Sequence, residues 1–140
     1  MMFIDASAVI AILNREPGSD ELVKRLAASD KRPLFSPLSR FEAIVGLARS
    51  RSGKHKTPDA EQIDAAQAAV DLFFTEARAK SVMISDTLGS GALEAARTYG
   101  KAVGHEADLN FGDCFAYACA KGYRAALLYK GNDFAKTDLA

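Results

Sequence analysis

Along the chain, short apolar runs bounded by turn residues alternate with longer stretches in which apolar side chains recur every three or four positions. The first kind reads as buried strands and the second as helices with one apolar face. Met2-Phe3-Ile4 is the first run and ends at Asp5; Ser7 to Leu13 then predicts a buried helix N-capped at Ser7. Pro17-Gly18-Ser19-Asp20 punctuates, and Leu22, Val23, Leu26 and Ala27 predict a second helix to about Ser29. Pro33 to Ser36 reads as a second strand. Pro37 suits the first turn of a helix carrying Leu38, Phe41, Val45 and Ala48 along one side, with a polar, basic loop expected over 49–58. An alanine-rich helix follows from Asp59 to about Lys80, then a strand over 82–85 and a helix capped by Asp86 that ends near Gly100. A loop at 104–109 leads into a helix from Phe111 to about Lys121. The last strand is expected over 125–129, closed by Lys130-Gly131-Asn132-Asp133-Phe134.

Strands of this kind, apolar on both sides and separated by helices, belong in a parallel sheet covered on both faces, so the fold class is α/β with three layers, α/β/α. At 140 residues the chain is expected to form one domain over 1–140, burying about two thirds of the surface its unfolded form exposes. There is no internal repeat and no linker.

Composition narrows the partners. Eighteen basic residues balance eighteen acidic ones, so net charge gives no argument for nucleic-acid binding. Arg40, Arg49, Arg51, Lys54, His55 and Lys56 nevertheless crowd one stretch, which suits either phosphate contacts or a solvated helix end. The start carries an acid inside its apolar run and no basic leader, so it is read as neither a secretion signal nor a membrane span, and a cytoplasmic location is expected. Cys114 and Cys119 lie five apart on a predicted helix, on different faces, and are expected to be reduced and buried.

In open parallel sheets ligands bind beyond the carboxyl ends of the strands. Asp5 closes the first strand there, Asp133 follows the last, Asp113 opens the helix just before it, and Glu42 stands in the first turns of the helix after the second strand. Each has an ordinary explanation taken singly. Asp113 lies three residues after Asn110 and fits a capping arrangement; Glu42 fits an exposed helix position; Asp133 fits turn chemistry. Asp5 is set among Phe3, Ile4, Ala6 and Val9, where an unpaired carboxylate is costly. Jointly, carboxylates converging at one rim either take up protons or are neutralised by a cation. An oxygen-only donor set suits Mg²⁺, and no histidine or cysteine set has zinc spacing. Such a centre handles phosphate esters.

These residues carry a family resemblance. Phe3-Ile4-Asp5-Ala6-Ser7, Arg40-Phe41-Glu42, Leu109-Asn110-Phe111-Gly112-Asp113-Cys114-Phe115-Ala116-Tyr117-Ala118 and Leu127-Leu128-Tyr129-Lys130-Gly131-Asn132-Asp133-Phe134 resemble, in order, the motifs of PIN-domain ribonucleases, specifically the VapC toxins of bacterial toxin–antitoxin pairs. The resemblance implies a PIN-like three-layer fold and a Mg²⁺-dependent endoribonuclease, with Mn²⁺ as substitute. It implies Asp5, Glu42, Asp113 and Asp133 as catalytic metal-binding acids, Ser7 as a supporting polar residue, and Asn132 beside or instead of Asp133. It further implies an RNA substrate, a small antitoxin partner, and a homodimer, or a heterotetramer or larger assembly with antitoxin. Arg40, Arg49 or Lys130 would contact the RNA backbone. The helices Ser7–Leu13 and Asp20–Ala28 offer either a groove for an amphipathic antitoxin segment or plain core. The family usually has proline after the histidine of the Gly-His loop; here Glu106 follows His105, with Asp108 close by, which leaves that loop's role open.

Two other classes compete. A receiver-type phospho-accepting signalling domain shares the alternation and has a lysine after its last strand, as Lys130 does, but needs a paired acid beside Asp5 and another after the middle strand, and neither is visible. A haloacid-dehalogenase-type phosphatase needs an aspartate where Ser7 stands. A non-catalytic PIN-like module that only binds RNA or protein keeps the fold and drops the cleavage.

Overall fold

The computed structural model describes residues 1–54 and 56–140. Four short strands, β1 (Met2–Ile4), β2 (Leu34–Phe35), β3 (Lys80–Ser81) and β4 (Ala126–Leu128), form one all-parallel sheet in the order β3-β2-β1-β4. β1 is central, pairing Phe3 with Leu34 on one side and with Leu127 on the other. Six helices, α1 (Ala6–Leu13), α2 (Ser19–Ala28), α3 (Pro37–Arg51), α4 (Ala60–Glu76), α5 (Asp86–Tyr99) and α6 (Phe111–Gly122), cover the two faces.

Strand geometry explains the division. Successive strand side chains point to opposite faces, so Phe3 and Leu127 enter one core with Leu88, Ala92, Cys114 and Ala118 of α5 and α6. Ile4 and Leu128 enter the other, with Val9, Leu47 and Val70 of α1, α3 and α4. Each apolar run therefore feeds two cores, which makes the domain three-layered. Cys114 and Cys119 are buried, unpaired thiols. Among the described residues no helix is long and apolar enough to cross a membrane.

Several expectations shift. The third strand, expected over 82–85, lies at Lys80–Ser81, and the Val82 N–H still donates to the Phe35 carbonyl at 2.8 Å. Val82 is buried, Met83 is 82% exposed and Ile84 packs back against the core, so the apolar run passes beyond the sheet edge without pairing along its length. Asp5, not Ser7, caps α1, and Ser85, not Asp86, caps α5. The helix from Asp59 stops at Glu76, where Arg78 adopts a positive φ of 56°. The basic stretch does not begin as a loop, since α3 runs to Arg51 before Ser52 ends it. His55, in the same stretch, lies outside the described residues. Phe41, expected on the packed side of α3, is 65% exposed, and that helix buries Ser39, Ala43, Ile44, Leu47 and Ala48 instead. The packed face is rotated because Ser36 and Ser39 close a buried capping box at its start.

Leu128 has no exposure and joins the sheet centre to the α1–α3–α4 core. Leu128→Ala should cost about 2–5 kcal/mol in denaturant unfolding. A loss below 1 kcal/mol would mean that this core does not bear on stability as described.

Candidate active site

Parallel pairing brings the carboxyl ends of β1 and β4 together, and the acids are presented at that edge. The Asp5 N–H extends the β1–β4 pairing by donating to the Leu128 carbonyl at 2.9 Å, which fixes the backbone of Asp5 one step beyond the sheet. Its side chain caps α1: both the N–H and the hydroxyl of Ser7 donate to Oδ2, at 3.0 and 2.5 Å. The same hydroxyl accepts the Lys130 N–H at 3.0 Å. Ser7 therefore ties the end of β1 to the loop after β4, where Asn132 and Asp133 are exposed.

Asp113 occupies the third position of α6 and completes a reciprocal capping box with Asn110. Its N–H donates to Asn110 Oδ1 at 2.9 Å, and its Oδ2 accepts the Asn110 N–H at 3.1 Å. The capping explanation is correct, and it does not exclude a second role: the cap engages Oδ2 and leaves Oδ1 as the less committed oxygen. Glu42, on α3, reaches the same region, and its carboxylate packs against Gly112, the residue before Asp113.

Electrostatics show that these groups sense one another. Burial pushes the Glu42 carboxyl up to about 7, with the charges of Asp5 and Asp113 adding to it. Burial likewise raises Asp113 to about 6, against a lowering by the Asn110 N–H, and Asp5, Asp133 and Asp108 push it further. Asp5 is only 4% exposed; burial raises its carboxyl, the Ser7 and Ala6 bonds pull it down, and Asp133 raises it again. No lysine or arginine offsets this repulsion: the ion pairs among the described residues are Arg40–Asp71, Arg97–Glu94 and Lys121–Asp138. The four expected acids thus share one field.

They do not form a ready chelate. Among the described residues no three histidine, cysteine, aspartate or glutamate side chains are gathered tightly enough to hold an ion as they stand. A hard divalent cation that keeps several waters and is held by one or two carboxylates together with substrate phosphate does not require a preformed chelate. An oxygen-only set with elevated proton affinity fits a hard divalent cation and does not fit zinc.

Other expected positions are settled by their contacts. Arg40 is engaged with Asp71 through two parallel bonds, Nε to Oδ1 at 2.8 Å and a terminal nitrogen to Oδ2 at 2.9 Å, so it holds α3 to α4. Arg51 bonds the Asn14 side chain and the Leu13 carbonyl, bracing the end of α1. His105 accepts the Ala107 N–H through Nδ1 at 3.0 Å and sets its ring edge-on to Tyr99, which makes it a loop-shaping residue. Asp108 stands at a positive φ of 54° and adds negative field at Asp113. Of the two helices considered as a groove, α1 is core, with Ala8, Val9 and Ala11 fully buried, whereas α2 leaves Val23 exposed. A separate groove of about 580 Å³ between α5 and the start of α6 is lined by Leu93, Leu109, Phe111 and Phe115 and holds none of the acids. Gly112 stands in the sequence only as part of the Leu109–Ala118 motif, with no role of its own; its available signal is a glycine in the first turn of a helix, where alanine is favoured by propensity.

Beside Asp5 stands Ser7, not the second acid that a receiver or haloacid-dehalogenase site requires. The PIN domain family model matches residues 2–139. A VapC ribonuclease of Rhizobium meliloti (strain 1021) is 48% identical over 99% of this chain and 99% of its own length. Ribonuclease VapC30 of Mycobacterium tuberculosis is 37% identical over 99% and 96%. Among solved structures, Mycobacterium tuberculosis VapC20, described as a sarcin–ricin-loop-cleaving toxin, superimposes with a TM-score of 0.68 at 19% identity, covering 96% of this chain and 93% of that one. A toxin–antitoxin complex from Klebsiella pneumoniae gives 0.65 at 16% identity, covering 99% and 94%. With an acid-lined edge beyond a central parallel strand, and relatives matched along their whole length, this chain belongs to the PIN domain family, among the VapC ribonucleases.

Proposed function

We propose that this protein is a divalent-metal-dependent endoribonuclease that acts as the toxin of a toxin–antitoxin pair and hydrolyses RNA phosphodiester bonds at the Asp5–Glu42–Asp113–Asp133 edge. The observation that carries the reading is that Asp5, Glu42 and Asp113 are desolvated together at one edge, where the charges of neighbouring acids add to the effect of burial and no described basic side chain is paired with them, in a chain 48% identical to a VapC ribonuclease. Acids kept in this state are a costly arrangement unless a cation joins them.

Asp5 and Asp113 would hold Mg²⁺, or Mn²⁺ in its place, through water or directly, with Glu42 and Asp133 completing the set. When bound, the ion neutralises phosphate charge and makes a coordinated water acidic. The chain itself does the positioning. Ser7 fixes Asp5 Oδ2 and the loop after β4 through one hydroxyl, and the Asn110 cap fixes Asp113; Glu42 and Asp133 would position the attacking water. Asn132 stands beside Asp133 in the same exposed turn. Arg49 and Lys130 are exposed and carry no ion pair among the described residues, which suits contact with the RNA backbone. The family reading also assigns a small antitoxin and a homodimer or larger complex; exposed Leu93 and Phe111, 63% and 71% accessible, supply apolar surface for such assembly.

Asp5→Asn or Asp113→Asn should lower Mg²⁺- or Mn²⁺-dependent cleavage of an RNA oligonucleotide by about two orders of magnitude or more, since loss of charge stabilisation worth several kcal/mol converts at 1.36 kcal/mol per tenfold. Undiminished cleavage by a folded variant would remove the proposal, and binding of RNA without any cleavage by the native protein would favour the non-catalytic module.

The acids also predict how metal-free stability depends on pH. Glu42 and Asp113 titrate near 7 and 6 in the native state but at ordinary carboxylate values, about 4, when unfolded. Between about pH 4 and 7 the native state therefore binds more protons than the unfolded chain, so stability falls as pH rises through that window. With chelator present, Tm should decrease from pH 5 to pH 8; Glu42→Gln should flatten the slope, and Mg²⁺ should raise Tm more at pH 8 than at pH 5. A Tm that climbs with pH over this range would contradict the electrostatics described.

A further inference from the structure

Gly112 occupies the second position of α6, between exposed Phe111 and Asp113. Its φ is not in the left-handed region, and it closes no turn, so backbone conformation does not require glycine there. Within a helix glycine is disfavoured relative to alanine, because the chain loses more freedom on ordering. The requirement comes from outside α6. A methyl group placed on this Cα would overlap Cδ and both carboxylate oxygens of Glu42, which come from α3. At Gly46 and Gly122 a methyl would also meet the end of a side chain, Ile10 at 2.6 Å and Leu88 at 2.5 Å, but there the tip is apolar. Only at Gly112, among the described residues, is the obstructed group a carboxylate.

We propose that Gly112 is a positioning residue of the acid centre: the gap left by its missing side chain is the seat that holds the Glu42 carboxylate beside Asp113, and any larger residue there displaces Glu42 from the cluster. The assignment rests on the reading of Glu42 as one of the working acids. Glu42 has no hydrogen bond or ion pair from the described residues that would otherwise fix its carboxylate, so packing against the bare backbone of α6 is what orients it. The seat lies in the first turn of the helix, where the positive end of the peptide dipoles favours an anion. The Asn110–Asp113 box fixes that turn, so one helix start sets two acids at once, Asp113 through its cap and Glu42 through the gap.

The test is a mutant cycle read by Mn²⁺ calorimetry without RNA, by Tm, and by cleavage of an RNA oligonucleotide. Gly112→Ala alone should weaken Mn²⁺ binding and cleavage about tenfold or more while melting cooperatively. In the Glu42→Ala background the same change should alter Mn²⁺ affinity less than twofold, because the displaced group is gone. Glu42→Asp, one methylene shorter, should impair the native protein yet improve Gly112→Ala, recovering at least threefold in Mn²⁺ affinity. Equal losses from Gly112→Ala in both backgrounds, or no loss in either, would overturn the proposal. Should Gly112→Ala fail to fold, cooperative folding of the Glu42→Ala/Gly112→Ala pair supports the contact, and its failure to fold refutes it. If the native protein binds Mn²⁺ but cleaves no RNA, the enzymatic reading fails while the metal-affinity cycle still judges Gly112.

Discussion

Desolvation of carboxylates that also repel one another is the constraint around which this structure is arranged. Asp5 is almost wholly buried, and Glu42 and Asp113 are half-buried near it, with no described basic side chain to offset them. A protein gains nothing in stability from such a cluster, in which Asp5 and Asp113 add to the proton affinity that burial gives Glu42, and Asp5 and Asp133 add to that of Asp113. The acids persist at that edge because separate local devices hold them. Asp5 is fixed by sheet pairing to Leu128 and by two bonds from Ser7, Asp113 by its reciprocal cap with Asn110, and Glu42 by the space above Gly112.

These devices are the ordinary means of starting helices. Asp5 is the N-cap of α1 and Asp113 belongs to the N-terminal box of α6, so the same oxygen atoms that satisfy free N–H groups also set the geometry of the acid edge. Structural and functional readings of these residues are therefore not rivals. Ser7 shows the economy most plainly: its hydroxyl donates to Asp5 and accepts from Lys130, joining the first strand's end to the last strand's loop across 123 positions of sequence. The arginines tell the opposite story. Arg40 and Arg51, in the basic stretch that suggested phosphate contacts, are spent on Asp71 and on the end of α1, so proximity in sequence to an acid did not make them part of its site.

What the sequence determined by itself is whatever depends on neighbours along the chain. Short apolar runs such as Met2–Ile4 and Ala126–Leu128, alternating with helical stretches, read as strands of a covered parallel sheet, and that reading in turn put Asp5, Asp113 and Asp133 at its carboxyl edge. The capping spacing of Asn110 and Asp113 was equally local. The tertiary structure decided what depends on which surfaces meet. It moved the edge strand back to Lys80–Ser81, because pairing to Leu34 and Phe35, and not the apolar run that follows, selects the paired residues. It turned Phe41 outward, because the packed face of α3 follows its buried serine box and the α4 helix it meets. Above all it set Glu42 against Gly112, seventy positions away in the chain, since steric exclusion between two helices is a property of their approach and leaves no periodicity in either sequence.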